Sequence, residues 1–276
     1  MDKTSTLTLR RDLQVAYDIQ QSFLPKELPH IPGATVAATM QPALEVGGDF
    51  YDAIPLSGER VGLLVADVSG KGIPAALYMA LARTLLRTHS LSAQPRYLTD
   101  ALQSAEVRRL MRSGSLGALA ALGAVRQANE YLLAHHQTPV MFLTLFYAVY
   151  EPQSHLLTYV NAGHNPPLLY NARTGEQAWL APTDMAIGLM AGLPFEATER
   201  QLTPGDVLVI YSDGVTEAFN SKKEMFDTDG LVEAVHALAE APAQAMLDGI
   251  VDRIAAFTTG APQSDDLTLV VLRLDN

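Results

Sequence analysis

Four segments of the sequence set an aspartate beside a short apolar run of the kind that forms a buried strand. Asp67 ends one such run, Asp213 follows a second and Asp265 precedes a third, while Asp49 lies in a fourth segment after two glycines. A carboxylate has no reason to lie at the end of a buried strand unless water, a cation or a ligand meets it there. The four segments therefore suggest one shared acidic cluster.

Clustered carboxylates are the donor set that hard divalent cations such as Mg²⁺ and Mn²⁺ prefer, and the backbone carbonyl of Val68 could add another oxygen. Two cations about 3.5–4 Å apart would hold a bridging water and lower its pKa, which gives a hydroxide nucleophile at neutral pH. For a single aspartate an ordinary turn is the simpler interpretation, since Asp213-Gly214 is a common turn pair. Four such segments in one chain favour a site.

Other polar segments leave alternatives open. His164 lies in the turn Asn161–Pro167, where it could donate a proton, contact a phosphate or brace its own loop by hydrogen bonds. The glycines at Gly70 and Gly72 leave the start of the next helix open, and such an end attracts phosphate. The sequence has no P-loop and no G-x-S-x-G motif, which argues against the usual nucleoside triphosphatases (NTPases) and serine hydrolases.

Composition narrows the function further. The chain has 276 residues, a formal net charge of −11 and no cysteine. The negative charge disfavours a nucleic-acid partner, and the lack of cysteine excludes thiol catalysis and disulfides. The N-terminus lacks a signal-peptide pattern, and the longest apolar run, Met141–Tyr150, is too short for a bilayer span of about 20 residues. We expect a soluble cytoplasmic protein that binds neither nucleic acid nor membrane.

The N-terminal segment has the period of an amphipathic helix. Its apolar residues recur at three- and four-residue steps, and Pro25 ends the pattern; they are Leu9, Leu13, Ala16, Ile19 and Phe23. The helix either docks on the rest of the domain or serves as a dimerising or signal-carrying element. A proline-rich connector follows and extends to Gly33.

Hairpins dominate the remainder, without regular alternation of strands and helices. The pattern predicts mostly antiparallel sheets with helices packed outside. The predicted strands are Thr35–Met40, Asp49–Pro55, Arg60–Asp67, Met141–Tyr150, Leu156–Asn161, Pro166–Tyr170, Gln177–Leu180 and the run from Val207. Helices are predicted from Pro74 and over Tyr97–Arg112, Leu116–Ala134, Thr228–Ala239 and Pro242–Phe257. Leu77, Leu81, Leu85 and Thr88 are expected on the buried side of the helix from Pro74. The alanine- and glycine-rich part, Gly117–Val125, is either a close-packed helix or a mobile segment.

Five motifs in this order resemble the SpoIIE/RsbU-type bacterial serine phosphatases of the metal-dependent type 2C protein phosphatase superfamily. The motifs are Gly47–Asp52, Asp67–Gly72, Asn161–Pro167, Tyr211–Gly214 and Asp265–Thr268. The resemblance extends from about Ala34 to the C-terminus. The segment Ile19–Pro25 also resembles the part that joins sensor domains to the catalytic domain in this family.

The resemblance implies an α+β fold, a four-layer α-β-β-α sandwich with the metal site at one edge. It implies hydrolysis of phosphoserine or phosphothreonine by a metal-bridged hydroxide with two or more Mn²⁺ or Mg²⁺ ions. By motif, the metal ligands are Asp49, Asp67 (as the bridge), the Val68 carbonyl, Asp213 and Asp265. Candidate accessory residues are Asp266, His164, Ser69 and Gly70; Ser69 replaces the histidine that the eukaryotic branch offers as general acid.

The resemblance also implies a partner and a domain boundary. The substrate would be a phosphorylated STAS-domain anti-anti-sigma protein. Apart from the resemblance, the apolar stripe of the N-terminal helix could form a homodimer. Residues 1–33 would be the helix and connector, and residues 34–276 the phosphatase domain. The competing interpretations are a catalytically silent scaffold or regulator of the same fold, which the four aspartates disfavour, and a phosphorelay receiver, which would need alternating β and α units.

Overall fold

The computed structural model describes residues 3–92, 116–135 and 141–275. These residues form two antiparallel five-stranded sheets with helices outside them. The strands are β1 (Ala34–Gln41), β2 (Phe50–Pro55), β3 (Val61–Val68), β4 (Leu143–Glu151), β5 (Leu156–Ala162), β6 (Leu168–Asn171), β7 (Gln177–Trp179), β8 (Thr198–Gln201), β9 (Asp206–Tyr211) and β10 (Leu267–Leu274). The helices are α1 (Lys3–Phe23), α2 (Ile73–Ser92), α3 (Leu116–His135), α4 (Asp213–Thr216), α5 (Asp227–Ala237) and α6 (Ala243–Phe257).

The two sheets are interleaved along the chain. One has the order β1-β10-β9-β6-β7 and the other β2-β3-β4-β5-β8. The predicted hairpin turns join β2 to β3, β4 to β5 and β6 to β7. Strands that follow each other along the chain, such as β2 and β3, therefore often pair within one sheet. The chain nevertheless passes from one sheet to the other after β1, β5, β7 and β8.

Side-chain alternation along β9 and β10 defines the layers. Leu208 and Ile210 of β9 face the core between the sheets, whereas Val207 and Val209 face α5 and α6. A strand with successive side chains on opposite faces can serve two cores, because both of its faces are covered. The second sheet is covered on its outer face by α2, which packs on β2 and β3, and by α3, which packs on β4 and β5. The predicted α-β-β-α sandwich is confirmed.

The predicted buried face of α2 is correct only in part: Leu81 and Leu85 are partly buried against the core, but Leu77 and Thr88 are not. Leu77 is 69% exposed and Thr88 is also exposed, while the buried positions are Ala75, Tyr78, Met79, Ala82, Leu86 and Ser90. The helix packs against the sheet on one side and against α3 on another, and its buried residues are in equal parts small and large. The leucines at four-residue steps lie on a face of α2 next to the buried one.

The alanine- and glycine-rich segment is a buried part of α3. Gly117 contacts Val149 and Thr158 so closely that a Cβ there would lie 3.3 Å and 3.4 Å from their side chains. Small residues let the helix backbone approach the sheet, which is the close-packed interpretation. The helix predicted over Tyr97–Arg112 lies outside the described residues. None of the helices among residues 3–92, 116–135 and 141–275 combines the length and hydrophobicity that a bilayer crossing requires.

Candidate metal centre

The four predicted aspartates lie at strand ends of both sheets. Asp49 directly precedes β2, and Asp67 is near the end of β3, its antiparallel neighbour. Asp213 follows β9 and opens α4, while Asp265 lies just before β10, which pairs with β9. In an antiparallel pair the end of one strand meets the start of the next, so each sheet contributes two carboxylates to its own edge.

The carboxyls of Asp49 and Asp67 are strongly perturbed. Burial and, to a smaller extent, the charges of Asp213 and Asp265 together raise the pKa of Asp67 to about 7, against a hydrogen bond with Asp49 that lowers it. Burial, followed by repulsion from Asp67, raises the pKa of Asp49 well above its usual range. Buried carboxylates that repel one another hold protons near neutral pH unless a cation replaces them.

The other sheet supplies Asp213 and Asp265. Burial and the charge of Asp265 raise the pKa of Asp213. The ammonium of Lys71 lies 2.7 Å from Asp265 Oδ2 and donates to the carbonyl of Ser264 at 2.8 Å. The hydrogen bond to Asp265 raises the pKa of Lys71. Lys71 is therefore a fixed counter-charge on the exposed side of the acidic site.

Asp266 organises the backbone around the site. Its Oδ1 accepts from the amide of Ala43 at 2.8 Å, and its Oδ2 accepts from the amides of Gly48 at 2.7 Å and Asp49 at 3.4 Å. The aspartate holds the loop that carries Asp49, and both of its oxygens are engaged by amides. The accessory role of Asp266 is therefore to fix the backbone of the loop before Asp49 through hydrogen bonds.

Two glycines allow the close approach of the site segments. A Cβ on Gly48 would lie 2.9 Å from the carbonyl oxygen of Val68, so that carbonyl faces the Asp49 loop. A Cβ on Gly214 would lie 2.0 Å from the backbone oxygen of Asp266. Any side chain at Gly214 would separate β9 from β10 at the point where Asp213 and Asp265 meet.

The donor chemistry fits a hard divalent cation. Four carboxylates and the Val68 carbonyl are all oxygen donors, as Mg²⁺ and Mn²⁺ prefer. Asp49 Oδ2 is buried and has no hydrogen-bond partner in the described part of the chain, so it is an acceptor that a cation would satisfy. Among those same residues, no group of three or more His, Asp or Glu side chains is gathered closely enough to form a ready metal cage.

Two other accessory candidates, Ser69 and Gly70, lie in the turn after β3. Ser69 exchanges hydrogen bonds with Phe142: its amide donates to the Phe142 carbonyl at 2.9 Å, and its hydroxyl accepts from the Phe142 amide at 3.1 Å. Its hydroxyl thus fixes the turn after β3. Gly70 has a φ of 91° and open space around it.

His164 is 1% exposed, and its Nδ1 lies 2.8 Å from the Thr144 hydroxyl. Its backbone amide donates to Asn161 Oδ1 at 2.8 Å. Burial lowers the pKa of His164 to about 4, so the ring is neutral at pH 7. Thr144 pairs with Asp67 across β3 and β4, which places the histidine behind the site. These contacts favour the bracing interpretation of His164.

Asp52 shows that not every carboxylate of the motifs reaches the site. Its side chain is fully buried and pairs with Arg83 at 3.0 Å and Arg87 at 2.6 Å, both on α2. This ion triad ties α2 to β2 beneath the acidic edge. A buried carboxylate with two guanidinium partners is satisfied without a metal.

Sequence reasoning missed the roles of Lys71, Ser212 and Gln20. Lys71 could have been noticed as the one lysine or arginine inside the five motifs. Ser212 accepts from the Thr268 amide at 3.0 Å and donates to the Asp266 carbonyl at 3.2 Å, which locks β9 to β10 next to Asp213. Gln20 bonds to Gly47, 27 residues away, and no local pattern signals such a contact.

The raised pKa values predict how metal-free stability depends on pH. The pKa of Asp67 is about 7 in the folded state and 3.8 in its ordinary state, so the folded chain binds more protons between these values. The contribution of Asp67 to the free energy of unfolding should therefore fall as pH rises from about 4 to 7, whereas that of His164, whose pKa burial lowers to about 4, rises over part of this range. Urea denaturation of metal-free protein at pH 5.0 and 7.5 measures this. Relative to Asp67→Asn, the wild-type free energy of unfolding should fall from pH 5.0 to 7.5, because His164 contributes equally to both proteins. An equal pH dependence in wild type and Asp67→Asn would contradict the raised pKa of Asp67.

Comparison with known proteins gives the family. The family described as Stage II sporulation protein E (SpoIIE) matches residues 57–275, which include β3, β9, β10 and three of the four aspartates. The chain belongs to the SpoIIE family. This confirms the resemblance seen in the motifs.

Individual relatives agree with this placement. Protein IcfG of Synechocystis sp. is 33% identical over 95% of this chain and 41% of its own length. Phosphoserine phosphatase RsbU of Bacillus subtilis is 27% identical over 96% of this chain and 70% of its own length. The chain thus spans less than half of the first relative and about two thirds of the second.

Solved structures share the SpoIIE-family fold. The SiaA-PP2C domain of Pseudomonas aeruginosa superposes with a TM-score of 0.78 at 18% identity, covering 98% of this chain and 99% of that one. RsbX, solved in complex with magnesium, superposes with a TM-score of 0.60 at 13% identity over 90% of this chain and 99% of its own. Both likenesses concern the fold.

Proposed function

We propose that this chain is a metal-dependent phosphatase that hydrolyses phosphoserine or phosphothreonine in a protein. The observation that carries the proposal is the set of carboxylates from two sheets at one edge, with the pKa values of Asp49, Asp67 and Asp213 raised by burial and mutual repulsion. Perturbed titratable groups that converge on one site are characteristic of catalytic centres. The name of the relative RsbU, a phosphoserine phosphatase, supports the same reaction.

The residues that would hold the cations are Asp49, Asp67, Asp213 and Asp265, with the Val68 carbonyl as a further ligand. When bound, Mn²⁺ or Mg²⁺ would lower the pKa of water and neutralise the charge on phosphoryl oxygens. Asp67 lies between the Asp49 carboxyl on its own sheet and the charges of Asp213 and Asp265 from the other. This central position supports its predicted role as the bridging ligand. Asp266 and Ser212 keep the ligand segments in register.

The surroundings of the site suit a protein substrate. Leu44, Ile73 and Leu77 are large apolar side chains that are at least half exposed, and they lie beside the start of α2. A cavity of about 200 Å³ lies next to Asp213 and Asp265 and is lined in part by Phe219 and Ile254. Apolar surface around a catalytic edge is what a docking protein buries. We therefore retain a phosphorylated STAS-domain anti-anti-sigma protein as the substrate.

The test begins with a generic ester. Mn²⁺ should support hydrolysis of p-nitrophenyl phosphate by the purified chain, and a chelator should abolish it. A phosphoserine STAS-domain protein should then be dephosphorylated faster than a phosphotyrosine peptide at the same concentration. Absence of turnover on every ester, in protein that binds Mn²⁺, would favour the alternative of a catalytically silent scaffold.

We further propose that residues 1–33 form a separable regulatory element before the phosphatase domain, residues 34–276. Val15 and Ile19 of α1 are 50% and 54% exposed, which leaves an apolar surface for self-association as a homodimer. By contrast, Leu24 at the end of the helix is buried. The docked and the dimerising interpretations thus apply to different parts of α1.

Deleting residues 1–24 should leave a folded domain with altered self-association or altered basal turnover. The shorter deletion of residues 1–16 keeps Gln20 and Leu24, so it should alter self-association only. Sedimentation velocity and p-nitrophenyl phosphate turnover measure the two effects. Unchanged sedimentation and turnover in both deletions would make α1 a passive extension.

A further inference from the structure

The side chain of Gln20 is held against the loop that carries Asp49. Gln20 is 3% exposed, its Nε2 donates to the Gly47 carbonyl at 2.7 Å, and its Oε1 accepts from the Gly47 amide at 3.0 Å. One amide side chain thus satisfies both backbone groups of one residue. Such a buried two-point pairing fixes position and orientation, and breaking it leaves buried polar groups without partners.

The loop has no free space on its opposite side. A Cβ on Gly47 would lie 2.2 Å from Asp266 Oδ2, so the glycine backbone lies directly against that carboxylate. The next two amides, of Gly48 and Asp49, also donate to Asp266 Oδ2. The loop is therefore clamped between Gln20 on α1 and Asp266 before β10. A shift of the end of α1 must move Gly47, and Asp49 is only two residues further along.

We propose that Gln20 is a positioning residue for the metal ligand Asp49, and that it couples the placement of α1 to cation affinity. The proposal rests on the proposed function only in treating Asp49 as a cation ligand. Residues that support a ligand from behind commonly change metal affinity by about 10–100-fold when they are replaced. The end of α1 is such a support, although it is distant from Asp49 in sequence.

Three variants test the proposal. Gln20→Met removes both hydrogen bonds at similar volume, whereas Gln20→Glu keeps the acceptor for the Gly47 amide and loses the donor. Gln21→Met is the matched control, because it makes the same change one position later. Gln21 Nε2 is buried without a hydrogen-bond partner in the described part of the chain.

The first readout is Mn²⁺ binding by calorimetry without substrate. Gln20→Met should weaken binding about tenfold, Gln20→Glu should fall between it and wild type, and Gln21→Met should match wild type. A Gln20→Met variant that melts lower by the same amount in chelator and in Mn²⁺, with unchanged Mn²⁺ affinity, would show a structural role only and overturn the proposal.

The second readout needs no metal. Hydrogen exchange at the amides of Gly48 and Asp49, which Gln20 does not touch, should be about tenfold faster in Gln20→Met and unchanged in Gln21→Met. Unchanged exchange at both amides would overturn the coupling. If Gln20→Met fails to fold, Gln20→Glu supplies both readouts. Wild-type protein that binds Mn²⁺ but hydrolyses no ester would overturn the proposed function and leave this inference standing.

Discussion

Replacing Asp67 with Asn should lower kcat for Mn²⁺-dependent hydrolysis of p-nitrophenyl phosphate by about a thousandfold or more, the scale of losing a main electrostatic stabiliser. The reason is position: Asp67 interacts with Asp49 on its own sheet and with Asp213 and Asp265 from the other. An amide of the same shape keeps the packing but removes the charge. Asp213→Asn should have an effect of the same order. Stopped or continuous assays at saturating Mn²⁺ measure both.

Two controls separate chemistry from folding. Asp229→Asn makes the same chemical change at an exposed position in the first turn of α5, and it should leave kcat unchanged. His164→Ala should lower the melting temperature, because it empties a buried position, yet cost far less in kcat than Asp67→Asn. Turnover near the wild-type rate in Asp67→Asn would remove Asp67 from the metal site.

Mn²⁺ should raise the melting temperature of the wild-type protein by about 5–10 °C. A ligand that binds only the folded state stabilises it by about 2.7 kcal/mol at a hundredfold excess over Kd, and each kcal/mol moves Tm by about 2–4 °C for a chain of this size. The raised pKa values of Asp49 and Asp67 show the repulsion that a cation would relieve. Melting curves in chelator and in Mn²⁺ give the shift.

Asp67→Asn should affect the melting temperature differently in chelator and in Mn²⁺. In chelator it should melt no lower than wild type, because one repelling carboxylate is gone. In Mn²⁺ it should lose most of the gain. An equal Mn²⁺ shift in the two proteins would mean that Asp67 is not a ligand, and the proposal of two cations would have to be withdrawn.

The candidate site was accessible to sequence reasoning because each part carries a local signal. An aspartate at the end of an apolar run can be recognised within about ten residues, and the hairpin turns that join β2 to β3 and β6 to β7 are equally local. The two-sheet fold followed from those hairpins together with the motifs. Whether the four aspartates bind metal remains a prediction, although both sheets bring them to strand ends.

The features that could not be predicted from the sequence depend on packing between segments that are distant along the chain. The buried face of α2 was mispredicted in part, because small residues such as Ala75 and Ala82 are buried while Leu77 faces outward. The sequence made Asp266 a candidate accessory residue without showing its role, which is to accept hydrogen bonds from loop amides. The partner of Gln20 is a glycine backbone, which has no side-chain signature.

The order in which the chain visits its sheets makes the acidic site indivisible. Asp49 and Asp67 belong to the sheet of β2–β5 and β8, whereas Asp213 and Asp265 belong to the sheet of β1, β6, β7, β9 and β10. No contiguous fragment that lacks either end of residues 49–265 carries all four, and β1 pairs with β10 across almost the whole length of the chain. A split or truncated gene product therefore cannot inherit half of the activity. Reassembly of two complementary fragments would instead restore it in a single step, when the sandwich closes.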